Sequence, residues 1–208
     1  MEINIKGTIV PNDDAEFYEW YGVDCTAPKH IHSAFEKANG EDVDIYINSG
    51  GGDIFSATEI YSAIRDYEGK SKIHITGLAA SAASVIMCAS ECDISPTSMV
   101  MIHNVSTVAG GNYRDFSHES EVLRKADKAM CQAYVQKSGK SEEEFLKLMD
   151  KETWLTAKEA VELGLCDNIS GKESLINGYC TILSDEQRRK YKTEKAKAQL
   201  SLEKLKMR

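Results

Sequence analysis

Three prolines in 208 residues, and no stretch given over to glycine, leave little room for a disordered or fibrous chain. No window approaches the roughly 18 apolar residues that a membrane span requires, so no membrane contact is expected. The opening Met1-Glu2-Ile3-Asn4-Ile5 sets an acid where a secretory signal would carry basic residues. Surplus positive charge is also missing. Twenty-five Lys and Arg face 33 Asp and Glu, a net charge of -8, which disfavours nucleic acid as a partner of the whole chain. Cys-x-x-Cys pairs are absent among Cys25, Cys88, Cys92, Cys131, Cys166 and Cys180, and no histidine lies at ligand spacing around them. The six are therefore expected to be free thiols of a reducing, cytoplasmic compartment, with no metal and no cofactor. Neither a Gly-x-x-x-x-Gly-Lys-Ser/Thr loop nor a Gly-x-Gly-x-x-Gly turn occurs, which removes the common nucleotide-binding signatures.

What is present is an alternation of strands and helices. Ile3–Val10, Val43–Ile47, Ile73–Ile75 and Met99–Ile102 read as strands, and His30–Asn39 and Ile54–Tyr67 as helices. Leu78–Ala89, small and uncharged, reads as a buried helix. A long amphipathic helix is expected over Tyr113–Ser138, with Val122, Ala126, Ala129 and Ala133 near one stripe and Leu123, Met130 and Tyr134 beside it. Ser141 and Thr156 stand as N-caps three residues before Glu144 and Glu159. Repeated strand-turn-helix units imply a mostly parallel sheet covered by helices. Residues 1–175 are read as one domain and 176–208 as a basic, helical or partly ordered tail. From Asp185 onward nine basic residues face four acidic ones, a charge of +5 beside -13 on the rest.

In such folds chemistry gathers at the carboxyl ends of strands. Four features fall there: the turn Gly50-Gly51-Gly52, Ser81, His103, and the loop carrying Asp150 and Glu152. Ser81 opens a small-residue helix directly after a strand and turn, where a hydroxyl can meet a substrate and nearby N–H groups can hold an oxyanion. Ser84, one turn deeper, is expected to bond back to a helix carbonyl instead. His103 alone among five histidines closes an apolar strand, which suits a general base. His30, His32 and His118 read as surface residues, and His74 as core or sheet edge. Asp150 and Glu152 are both in range to orient the imidazole.

Asn48-Ser49-Gly50-Gly51-Gly52, Gly77-Leu78-Ala79-Ala80-Ser81-Ala82, Met101-Ile102-His103 and Leu155-Thr156-Ala157-Lys158-Glu159-Ala160 with Gly164-Leu165-x-Asp167 occur together and in order. From Ile3 to Ile169 the chain resembles the Clp-type serine peptidases (peptidase family S14), and more closely their phage and prophage branch of head maturation proteases. The resemblance implies the Clp peptidase/crotonase-like superfold, with repeated β-β-α units and a protruding helical handle. It implies Ser81 as nucleophile, His103 as base, and the backbone N–H groups of Gly52 and Ala82 as oxyanion hole. The acid position falls on Glu152, with Asp150 as the alternative. Gly50 stands where the family has proline, and Ala83 where it has glycine.

The resemblance further implies a homo-oligomeric ring acting on protein substrates such as phage scaffold or capsid protein. Family members that work with a ring ATPase carry a gating segment before the first strand. Only Met1 and Glu2 precede it here, so no ATPase partner is expected. Three readings compete with this one. They are an ATPase-independent housekeeping peptidase, a crotonase-type hydratase or isomerase, and an inactive ring subunit.

Overall fold

The computed structural model describes residues 1–171; the basic tail expected from 176 onward lies outside the described residues. Its centre is a sheet built from β1 (Glu2–Ile9), β2 (Cys25–Thr26), β3 (Val43–Gly52), β4 (Ser71–Ala80), β5 (Glu91–Ile94), β6 (Met99–Ile102), β7 (Thr153–Thr156) and β8 (Asn168–Ile169). The order is β2-β1-β3-β4-β5-β8, with β6 joined to β4 and β7 to β6. All these pairings are parallel except β6 with β7. The helices are α1 (Ala15–Trp20), α2 (Pro28–Ala38), α3 (Ile54–Arg65), α4 (Ala82–Ile86), α5 (Tyr113–Ser138), α6 (Glu142–Met149) and α7 (Ala157–Glu162). The α/β class and the mostly parallel sheet agree with expectation. None of the helices among the described residues is long and apolar enough to cross a membrane.

Strand alternation fixes which face is core. In β3 the side chains of Val43, Ile45 and Ile47 are buried, while Asp44 and Tyr46 between them are half-covered on the opposite face. Ile5, Ile45, Ile47, Ile60, Ile73 and Ile75 are fully buried in one continuous core. Each such side chain contributes roughly 1.5–3 kcal/mol on leaving water. Isoleucine suits these positions, since its branched Cβ packs well on a pleated surface.

β4 is the element that builds the site, and it is longer than the sequence suggests. Its first half pairs with β5, from Lys72 opposite Glu91 to Ile75 opposite Ile94. Its second half, Leu78–Ala80, pairs with β6 instead. The expected helix over Leu78–Ala89 is corrected accordingly. Leu78–Ala80 are strand, Ala82–Ile86 alone form α4, and Met87–Ala89 tighten into a 3-10 turn. Small apolar residues fit a buried strand as readily as a buried helix, and the neighbouring β6 supplies the ladder that decides between them.

α5 runs over the expected residues, from N-cap Asn112 to Gly139 in the left-handed region at φ 73°. Its buried residues are Asp127, Cys131, Ala133 and Tyr134, all in the C-terminal half. The N-terminal half has none, so it protrudes as a handle. Of the expected stripe Val122 and Ala129 are exposed, and the core-facing line runs through Asp127, Cys131 and Tyr134. At α6 and α7 the Ser141 and Thr156 hydroxyls accept from the Glu144 and Glu159 N–H groups as expected. Five cysteines are free thiols among the described residues, and Cys180 lies outside them.

Candidate active site

Ser81 sits between β4 and α4 at φ 55° and ψ -125°, backbone angles that a residue with a Cβ rarely adopts. The strain costs about 1–3 kcal/mol and lifts the side chain out of the turn. Three bonds hold the residue there. Its N–H donates to the Met101 carbonyl at 2.9 Å, and its own carbonyl accepts from the Ser84 N–H at 2.9 Å and the Ser84 hydroxyl at 2.6 Å. Ser84 thus bonds back to a carbonyl, as expected, and its Oγ also meets Tyr134 Oη at 2.7 Å.

The Met101 bond ties Ser81 to β6, which ends at Ile102, so His103 leaves the sheet beside the serine. His103 Nε2 lies 2.7 Å from Ser81 Oγ. A tautomer with Nε2 unprotonated can accept the hydroxyl proton at that distance. The structure therefore brings together the two residues expected to act as nucleophile and base.

Gly51 makes room under this pair. Its φ is 94°, and a Cβ there would fall 2.8 Å from Ser81 Cβ and 2.9 Å from the Ala82 nitrogen. Gly50 has no such constraint, because a Cβ would meet nothing within 4 Å. A side chain at that place would therefore find room. Ser49 anchors the turn, donating to the Gly7 carbonyl at 2.6 Å and accepting from the Gly51 N–H at 3.1 Å.

A cavity of about 50 Å³ opens onto Ser81 and His103, and Gly52, Ala82, Val85, Met130 and Tyr134 are among its lining residues. Ala82 opens α4, and its N–H donates no hydrogen bond among the described residues, as befits the first turn of a helix. Free backbone donors beside a nucleophile are what an oxyanion requires.

The carboxylates fall differently from expectation. Glu152, at φ 48°, accepts through Oε1 from the Trp154 indole at 3.3 Å. Asp150 accepts through Oδ1 from Asn104 Nδ2 at 2.8 Å. Neither is hydrogen-bonded to His103 among the described residues. Asp127 was not expected at the site. It is buried, 8% exposed, and its Oδ1 accepts from the Val105 N–H at 2.6 Å, two residues past His103. Burial pushes its carboxyl above the ordinary carboxylate range; Val105 pulls it down, Asp150 pushes it up and the charge of His103 pulls it down. The signal was in the sequence: one acid in the line Leu123, Asp127, Met130, Tyr134, otherwise apolar at helical spacing. Among the described residues no group of three or more His, Cys, Asp or Glu is disposed to hold a metal.

Remaining histidines lie apart from the serine. His32 pairs with Glu59 at 3.2 Å and His30 with Glu19 at 3.2 Å. His74 is held on the solvent-side face of the sheet between Asp93 at 2.9 Å and Asp44 at 3.1 Å.

A parallel sheet whose strand ends present a strained serine against a strand-terminal histidine defines a serine-hydrolase type of site. The family model described as Clp protease matches residues 29–173. This chain belongs to the Clp protease family. It is 34% identical over 135 residues to the ATP-dependent Clp protease proteolytic subunit 1 of Protochlamydia amoebophila, covering 62% of this chain and 66% of that protein. It is 32% identical over 133 residues to the ATP-dependent Clp protease proteolytic subunit of Bacteroides fragilis, covering 62% and 64%. The chain thus spans somewhat under two thirds of the length of these curated relatives. A point mutant of ClpP1 from Listeria monocytogenes has the same fold, with a TM-score of 0.67 at 22% identity over 83% of this chain and 92% of that one.

Proposed function

We propose that the protein is a serine endopeptidase in which Ser81 is the nucleophile and His103 the general base. The observation that carries this is the 2.7 Å approach of His103 Nε2 to Ser81 Oγ. Ser81 Oγ attacks the scissile carbonyl and its proton passes to Nε2. The carbonyl oxygen, now negative, is received by the backbone N–H groups of Gly52 and Ala82. The imidazolium then protonates the leaving amine, and water hydrolyses the acyl-serine by the same route in reverse. A crotonase-type hydratase has no use for a serine and histidine so paired. A fluorophosphonate probe followed by peptide mapping tests the assignment. Modification at Ser81 is expected, and a folded protein that stays unmodified would refute it.

The working form is a homo-oligomeric ring in the bacterial cytoplasm, assembled in part through the handle. Exposed Tyr113 and Phe116 on the handle, with Val108 on the loop before it, support this, since such surface is costly on a lone subunit. The natural substrate we propose is phage scaffold or head protein, on the strength of the motif resemblance. A second reading has its own support. The relatives are named as proteolytic subunits of ATP-dependent proteases, which favours general proteolysis served by a partner ATPase. Cleavage of assembled scaffold or head protein without ATP supports the first reading. Hydrolysis of short peptides alone, with folded proteins untouched until an ATPase is added, supports the second.

A further inference from the structure

The two loop carboxylates beside the site are engaged with Asn104 and the Trp154 indole, leaving His103 without an acid partner in either. A base at this position gains from a carboxylate, which fixes the ring tautomer and stabilises the imidazolium that forms during the reaction. One other acid is near. Asp127 lies on the handle helix α5 and faces inward, with Met130 one turn and Tyr134 two turns further along the same face. Met130 and Tyr134 line the cavity that holds Ser81 and His103. Asp127 is therefore on the site-facing line of α5, buried at 8% exposure.

Burying a carboxylate is unfavourable unless it is bonded or paired. Asp127 has one hydrogen bond among the described residues, from the Val105 N–H to Oδ1. That bond clamps the chain just past His103. It leaves Oδ2 without a hydrogen bond but open to solvent, since no fully buried side-chain oxygen or nitrogen among the described residues lacks a partner. His103 uses Nε2 toward Ser81, and its Nδ1 is likewise without one.

We propose that Asp127, supplied by the handle helix, is the positioning residue that serves His103, in place of Glu152 or Asp150. Oδ1 holds the backbone at Val105, and Oδ2 is left to turn to the imidazole as positive charge develops on it. Catalytic contacts of this kind are commonly slack in a free enzyme and close when the charge appears. His103 is one of the influences drawing the Asp127 carboxyl toward its charged form, which fits an attraction between the two. Asp150 acts on Asp127 with the same sign of charge and so resists it; its bond to Asn104 restrains it beside the pair. A consequence is that the acid arrives on the protruding handle rather than on the loop before β7. Packing of α5 against the body then directly sets the competence of the base.

This proposal rests on Ser81 and His103 being the reacting pair, and its test separates the two ideas. The full chain and its D127N, D127E, D150N and E152Q variants are treated with a fluorophosphonate. In that reaction the Ser81 oxygen–phosphorus bond forms, fluoride leaves and His103 takes the proton. Asparagine can still accept from Val105, so D127N keeps the clamp and removes the charge. D127N is expected to label about 10²–10⁴-fold more slowly, with partial recovery in D127E, while D150N and E152Q stay within a few-fold of wild type. A purely structural role predicts instead a lower melting temperature and an unchanged labelling rate in the folded protein. Independently, the His103 Nδ1 proton is observed by NMR in S81A, S81A/D150N and S81A/E152Q. A hydrogen-bonded, exchange-protected Nδ1 proton that survives both carboxylate changes supports Asp127 even if D127N does not fold. Wild-type labelling by D127N, or loss of that protected proton with Asp150 or Glu152, overturns the proposal. Failure of the wild-type protein to label at all would strike the peptidase reading, and the Nδ1 proton would still report the pairing.

Discussion

His103 Nε2 and Ser81 Oγ meet at 2.7 Å although 22 residues separate them. Their meeting depends on β4 changing partners. Its first half runs beside β5 and its second beside β6, so the serine after Ala80 and the histidine after Ile102 leave the sheet side by side. The Ser81 N–H bond to Met101 is the last rung of that ladder.

Removing the nucleophile should separate activity from stability. S81A is expected to lower peptide turnover by about 10⁴-fold or more, with the fold retained. S81G should be equally inactive and more stable than S81A by about 1 kcal/mol, because glycine relieves the strain at φ 55°. Urea denaturation of the two variants provides the comparison; equal midpoints would show that the backbone at 81 stores no strain.

The glycine turn makes a contrast within three residues. Gly51→Ala would place a methyl 2.7 Å from the Ala80 carbonyl and 2.8 Å from Ser81 Cβ, at a φ of 94°. A loss of 2 kcal/mol or more in stability is expected, together with loss of labelling at Ser81. Gly50→Ala meets open space and should change neither by more than about 0.5 kcal/mol or a few-fold. Similar damage from both would show that the turn matters as a whole rather than at Gly51.

His74 should make stability depend on pH. Burial opposes its charged form, but hydrogen bonds and charge from Asp44 and Asp93 prevail and raise its pKa above the usual 6.5. The folded value thus exceeds the unfolded one. The stabilisation is fully present below the unfolded pKa and is lost as pH rises through the folded one. Denaturation midpoints compared at pH 6 and pH 8.5 should fall for the wild type and fall less for H74Q. An identical fall in both would assign the effect to other groups.

The handle should govern assembly. Tyr113 and Phe116 are 77% and 51% exposed on the half of α5 that buries nothing. Tyr113→Lys with Phe116→Lys is expected to shift sedimentation toward the 23.1 kDa subunit while leaving its circular dichroism unchanged. A wild-type chain fully active as a monomer at micromolar concentration would remove the ring from the proposal.

Local chemistry was legible in the residues themselves. The strand alternation of Val43–Ile47, the capping residues Ser141 and Thr156, and the small residues around Ser81 each act over a few neighbours. Such short-range preferences survive in the sequence, and so the α/β class, the bounds of α5 and the pairing of Ser81 with His103 could be expected. The short β5 and β8 could not, because each is a strand only by virtue of the neighbour that completes its ladder. The same holds for Leu78–Ala80, whose composition suits helix and strand alike until β6 lies beside it. The acid was the least readable part. Counting along the chain led to Glu152, and spacing cannot reveal which way a loop carboxylate turns; here the Trp154 indole takes it. Asp127 is 24 residues after His103 in an amphipathic helix, on a line beside the apolar stripe rather than in the loops where chemistry gathers. Only the docking of α5 against α4 and the turn that follows it buries that carboxyl and sets it against Val105, because tertiary contacts alone determine which face of a helix meets the core.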